Sequence, residues 1–144
     1  MVDKHRHNLS EENKTAIKDK IKEKLQANPY ILFAFVHGSF LESELPFHDI
    51  DIAIFLEEGR CSFDYMDFCL DLSMQLSSLV GIKVDVYALN NSSIGFRYEA
   101  TRGELLFTKD EDACFDFIEK TRLQYFDLKP ILEENLKDLL HLSR

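Results

Sequence analysis

Hydrophobic residues recur along this chain with two different periods, and the changes between them mark out the elements. Between residues 10 and 27, Ile17, Ile21 and Leu25 return every fourth position among Lys, Glu and Asp. That is the narrow apolar stripe of a helix that buries one face. Ser10 followed by Glu11 and Glu12 reads as its start, and Asn28-Pro29 breaks it. Ile31 to Val36 is a β-rich apolar run, read as a first strand that Gly38-Ser39 ends. From Asp49 to Leu56 the period becomes two: Ile50, Ile52, Ile54 and Leu56 alternate with Asp49, Asp51, Ala53 and Phe55.

Glu58-Gly59 turns the chain. Ser62 is expected to cap a helix over residues 63–80, with Tyr65, Cys69, Leu72, Leu76 and Leu79 on one face and Gly81 as its stop. Ile82 to Leu89 forms a third strand, apolar on one face and carrying Lys83, Asp85 and Tyr87 on the other. A short helix to about Arg102, a strand from Glu104 to Thr108 and a helical stretch over 110–142 follow, with Pro130 marking a break or kink. This order predicts an α/β (α+β) domain. A small mixed sheet would carry helices packed on one face and a C-terminal helical segment. No linker divides residues 1–144, so a single domain is expected, with its core at about 30–108 and its C-terminal helices at 110–142.

Composition narrows the function classes. The formal net charge is −9, with the basic residues spread out. Such a chain repels bulk nucleic acid, so a polymerase or general nucleic-acid binder is disfavoured. The absence of any run of about 18 apolar residues argues against a transmembrane helix. The charged stretch from Met1 to Lys24 lacks the apolar core of a signal peptide, so the expected location is cytoplasmic. Cys61, Cys69 and Cys114 match no zinc spacing and read as small buried residues. His5 and His7 read as part of a frayed terminus rather than as a metal site.

Chemistry concentrates in the carboxylates. Asp49 and Asp51 are two apart on a strand, so both face one side of the sheet, with Cα atoms about 6.5–7 Å apart. Asp85 repeats the arrangement on another strand among alternating apolar residues. If those strands are neighbours, three carboxylates converge. Hard oxygen donors at that density suit Mg²⁺, which keeps some waters and accepts phosphate oxygens as further ligands. Gly38-Ser39 adds a backbone that can approach a phosphate and a hydroxyl that can donate to it.

The run GSFLESELPFHDIDIAIF resembles the signature of the DNA polymerase β-like nucleotidyltransferase superfamily. That signature is a Gly-Ser after a strand, a spacer of about ten residues, Asp-x-Asp on the next strand and a third acidic residue later. Here the spacer is nine residues, Phe40 to His48, and Asp85 in KVDVYALN fills the third position. Size and ordering resemble the minimal nucleotidyltransferase (MNT) family, often found beside HEPN-domain proteins. The resemblance covers about residues 30–108.

It implies ATP as cosubstrate, Mg²⁺ as cofactor and transfer of AMP to a partner, a tyrosine of a HEPN toxin, with this chain as antitoxin. Gly38 and Ser39 would bind the nucleotide; Asp49, Asp51 and Asp85 would be the catalytic and metal-binding residues. Relatives commonly carry a basic residue and Gly after Gly-Ser, where this chain has Glu42-Ser43. Arg97 or Arg102 would then have to supply the positive charge, and Lys83 could pair with Asp85 or with a phosphate. Two other readings stay open: a non-catalytic antitoxin or scaffold acting by occlusion, and a small-molecule nucleotidyltransferase of the aminoglycoside-modifying type. The C-terminal leucines Leu128, Leu132, Leu136 and Leu139 fit either packing on the chain's own sheet or a partner surface. A homodimer is also left open.

Overall fold

A computed structural model describes residues 10–41, 49–60 and 62–142. Its elements in chain order are α1 (Glu11–Gln26), β1 (Ile31–His37), a 3₁₀ turn (Ser39–Leu41), β2 (Ile50–Leu56), α2 (Tyr65–Val80), β3 (Val84–Ala88), α3 (Ile94–Thr101), β4 (Glu104–Thr108) and α4 (Glu111–Leu142). The four strands form one mixed sheet in the order β3-β2-β1-β4. β1 lies antiparallel to β2 and β4, and β2 lies parallel to β3. The crossover that joins these parallel neighbours is α2, as parallel pairing requires.

The local signals work largely as their chemistry predicts. Ser10 caps α1 by accepting from the backbone N–H of Asn13 at 3.2 Å, and Ile21 and Leu25 are buried. The cap of α2 is Asp64 rather than the expected Ser62. Its carboxylate accepts from the N–H groups of Met66 and Asp67, at 2.7 and 3.3 Å. A carboxylate there also meets the positive end of the helix dipole. Gly81 closes α2 in the left-handed conformation at φ 75°. In α2, Cys69, Leu72 and Leu76 are buried, whereas Leu79 is exposed. The third strand is shorter than its alternation suggested, because Ile82 and Lys83 belong to the turn after Gly81.

One face of the sheet carries Ala34, Val36, Ile50, Ile52, Ile54, Val84 and Val86, covered by Ile21 and Leu25 of α1 and Leu72 and Leu76 of α2. Helices on this face were expected. The opposite face is covered as well, in part: Phe33, Phe35, Ala53 and Leu89 pack with Phe96 and Ala100 of α3 and with Cys114, Phe117 and Ile118 of α4. The period-two pattern hides this because Ala53 and Phe55 follow Asp49 and Asp51 on the same side. The second face is therefore polar at one end and aromatic at the other.

β3 is an edge strand, and two of its outward N–H groups are nevertheless satisfied. Val84 donates to the hydroxyl of Ser77 at 2.8 Å and Val86 to that of Ser73 at 2.9 Å, both on α2. These bonds fix the height of β3 against α2 and blunt its free edge. α4 runs as one helix through Pro130 rather than breaking there. Leu128, Leu132, Leu136 and Leu139 are all exposed, so they do not pack on the sheet. Among the described residues, no helix is long and apolar enough to cross a membrane.

Candidate active site

Strand register brings the polar residues of the second face into a row. His37 on β1 lies opposite Asp51 on β2, and Asp51 lies opposite Asp85 on β3. Neighbouring strands stand about 4.8 Å apart, so these three side chains share one patch. Asp49 sits just before β2, where Ile50 N–H bonds to Lys83 O at 3.0 Å and ties it to the start of β3. The three predicted carboxylates are thus on neighbouring strands and one face. His37 completes the row, although its sequence position gave no sign of its pairing.

Gly38 follows directly and is held at φ 84°. A Cβ there would stand 2.8 Å from Oδ2 of Asp51. The glycine therefore serves two needs: a left-handed turn, and backbone approach to a carboxylate. Ser39 opens a 3₁₀ turn closed by Leu41 N–H on Gly38 O at 3.2 Å, with Phe40 buried beneath it. Gly38 and Ser39 themselves are exposed. Glu42-Ser43, His48, Cys61, His5 and His7 lie outside the described residues.

Asp51 bears most of the electrostatic cost. Its carboxyl is pushed up to about 6, chiefly by burial and then by the like charges of Asp85 and Asp49, while Lys83 pulls it back. Lys83 Nζ stands 3.8 Å from both Asp49 Oδ2 and Asp85 Oδ2 and is mostly exposed. It pairs with both carboxylates. As the side chains stand, no three His, Cys, Asp or Glu groups among the described residues are gathered closely enough to hold a metal ion. The donor set nevertheless fits a hard divalent cation: carboxylate oxygens, one strained by like charge, bridged by an ammonium that can swing aside.

The two arginines considered for the phosphates both have partners within the chain. Arg97 donates to Leu89 O at 3.0 Å and Asn90 O at 2.7 Å, and its guanidinium lies over Phe117. It fastens the β3–α3 connection to α4. Arg102 pairs with Glu99 at 3.4 Å and lies over Tyr98. An aromatic wall stands beside the row: the edges and faces of His37, Phe96 and Tyr87 meet in turn, with ring centroids 5.5 and 5.4 Å apart. Burial lowers the His37 pKa against the pull of Glu99. Burial, then Asp85, Asp51 and Asp49, raise that of the Tyr87 phenol.

The family model for polymerase beta nucleotidyltransferases matches residues 19–112, which takes in every element of this site. The chain belongs to that family. It is a nucleotidyltransferase by descent. Among solved structures it is similar to a chain in the complex of tri-AMPylated Shewanella oneidensis HEPN toxin with MNT antitoxin. Identity there is 21% over 88% of this chain and 98% of that one, with a TM-score of 0.69. It is similar to a chain of a toxin–antitoxin complex with AMP-PNP, at 22% identity, 85% and 98% coverage and a TM-score of 0.71. The MntA–HepT toxin–antitoxin structure gives 21% identity, 88% and 98% coverage and 0.68. At these identities the likeness establishes a shared fold. No curated protein matches the chain.

Proposed function

We propose that this chain is an MNT-type antitoxin that transfers AMP from ATP to a tyrosine of a HEPN-family toxin, in the cytoplasm. The observation that carries the reading is the row of Asp51 and Asp85 in register, with Asp49 beside them and Gly38 against Asp51. In this reading Gly38 and Ser39 hold the triphosphate. Asp49, Asp51 and Asp85 hold Mg²⁺, and Asp85 also receives the proton of the attacking hydroxyl. Mg²⁺ when bound would neutralise the phosphate charge and stabilise the entering and leaving oxygens. The chain's own contribution is to fix the carboxylates on adjacent strands and to keep the backbone at Gly38 open to the phosphates.

Two further observations support a protein partner. The structures that share this fold include complexes described as HEPN toxin with MNT antitoxin and as toxin–antitoxin with AMP-PNP. The leucines of distal α4, exposed by 39 to 63%, provide an apolar surface that the described residues do not cover. The same surface favours occlusion as a second way to neutralise a partner, alongside transfer. The test is to incubate the chain with Mg-ATP and a co-encoded HEPN protein and weigh the partner. An added AMP, lost with Asp51→Asn, is expected. An adduct that persists in Asp51→Asn refutes the site, and an unmodified but inhibited partner refutes transfer in favour of occlusion.

A further inference from the structure

The turn after β1 has two sides. Gly38 and Ser39 are exposed, while Phe40 points inward and is 1% exposed. Lys14 of α1 lies on the inner side. Its Nζ stands over the Phe40 ring, 5.4 Å from the centroid, and the residue is only 4% exposed. Among the described residues it is the only buried lysine or arginine. Pairing along the sheet explains its height. Lys18, one helical turn further along α1, bonds to Glu104 at 2.9 Å, and Glu104 pairs with Val36. Lys14 is one turn nearer the start of α1, and that turn carries its ammonium past the end of β1 to Phe40.

We infer that Lys14 is a positioning residue for the nucleotide. Its buried ammonium holds the Gly38-Ser39 turn through Phe40 and sets a positive charge beneath the terminal phosphates of a nucleoside triphosphate. The inference rests on the nucleotide part of the reading above, in which those phosphates lie over Gly38-Ser39. Position 42, where relatives commonly carry a basic residue, holds Glu here. Arg97 is turned to the carbonyls of Leu89 and Asn90, and Arg102 to Glu99. Lys83 stands with Asp49 and Asp85. Of these basic residues, Lys14 is the one placed at the turn itself.

Burial makes the charge effective. Taking an ammonium out of water is costly, and an aromatic face offsets part of that cost. Water and salt screen a buried charge less than one on the surface, so it acts across the turn without touching a phosphate. A triphosphate, with two phosphates over Gly38-Ser39, gains most. A nucleoside monophosphate has nothing there and gains little.

The experiment uses the full chain and calorimetry with two probes, Mg-AMP-PNP and AMP, on wild type, Lys14→Met and Lys14→Arg. Met keeps an unbranched stem without the charge; Arg keeps the charge and can lie on an aromatic face. Lys14→Met should bind Mg-AMP-PNP about threefold to tenfold more weakly, with AMP affinity unchanged and Lys14→Arg near wild type. If Lys14→Met folds and binds Mg-AMP-PNP as wild type does, the inference falls and the nucleotide reading stands. If both affinities fall by one factor, or if Lys14→Arg loses as much as Lys14→Met, the lysine only supports the fold and the inference falls. If Lys14→Met does not fold, Phe40→Leu decides. It removes the ring under the ammonium and should weaken Mg-AMP-PNP about threefold with AMP unchanged; an unchanged Mg-AMP-PNP affinity overturns the inference. If wild type binds neither probe, the inference and the nucleotide reading fall together.

Discussion

The backbone of Gly38 lies so close to the carboxylate of Asp51 that a methyl group on it would stand 2.8 Å from Oδ2. That approach, together with φ 84°, makes Gly38→Ala a double fault. The left-handed backbone costs about 1 kcal/mol for a residue with a Cβ, and the carboxylate must move. Denaturant unfolding should show a loss of about 1–3 kcal/mol. Nucleotide affinity should fall with it, because the displaced group is the central carboxylate of the row. An alanine variant with wild-type stability and nucleotide affinity would show that the close approach has no consequence.

Asp51 gives the site a pH dependence whose sign can be worked out. Its folded pKa of about 6 is above its ordinary value of 3.8. Between those values the folded state binds more protons than the unfolded one, so this group's contribution to stability falls as pH rises through the window. Asp51→Asn should therefore stabilise the ligand-free protein at pH 7 by about 1 kcal/mol, solvent screening of the half-exposed carboxylate limiting the gain. In the proposed site, binding of Mg-AMP-PNP runs the other way, because protonation of Asp51 would remove a ligand. Its affinity should weaken about tenfold between pH 7 and pH 5. Calorimetry at the two values checks this, and Asp51→Asn should lose the step.

What could be read from sequence was what depends on local period. Alternation put Asp49 and Asp51 on one face and Asp85 among apolar residues, and the structure agrees because strands obey that period wherever they pair. Register is set by partners distant in sequence, so the alignment of His37 with Asp51 and Asp85 had no local signal. Capture of Arg97 by two carbonyls of the β3–α3 connection is of the same kind. Gly103, between α3 and β4, admits the carbonyl of Val36 and Cβ of His37, where a side chain would collide, and that too is a contact between residues distant in sequence. The leucines of distal α4 were periodic enough to predict a buried stripe, but periodicity does not say whose surface buries it.

Lys83 makes a prediction about metal binding. Its ammonium spans Asp49 and Asp85 at 3.8 Å each, where a divalent cation would compete with it. Removing the charge takes away both a competitor and a repulsion. Lys83→Met should therefore bind Mn²⁺ more tightly in the absence of nucleotide, by roughly threefold to tenfold given the exposure of the lysine. Titration followed by paramagnetic resonance reads this directly. Weaker binding in the variant would mean that the lysine organises the carboxylates rather than occupying their cation position.

His37 opposes Asp51 in the pH dependence of stability, and substitution separates them. Burial lowers its pKa, and Nε2 is buried without a hydrogen-bond partner among the described residues. A histidine kept neutral in the fold must charge on unfolding in acid, so its contribution is lost as pH falls through the unfolded value near 6.5. Asp51 contributes the reverse slope between about 4 and 6, which partly masks it. In an Asp51→Asn background the His37 slope should stand alone, and the imidazole should titrate below 6.5 by NMR. Adding His37→Phe keeps the ring edge against Phe96, removes the unpaired nitrogen and should stabilise the protein by about 1 kcal/mol. It should also flatten the remaining slope between pH 5 and 7. A slope that survives in the double variant would assign it to a different group.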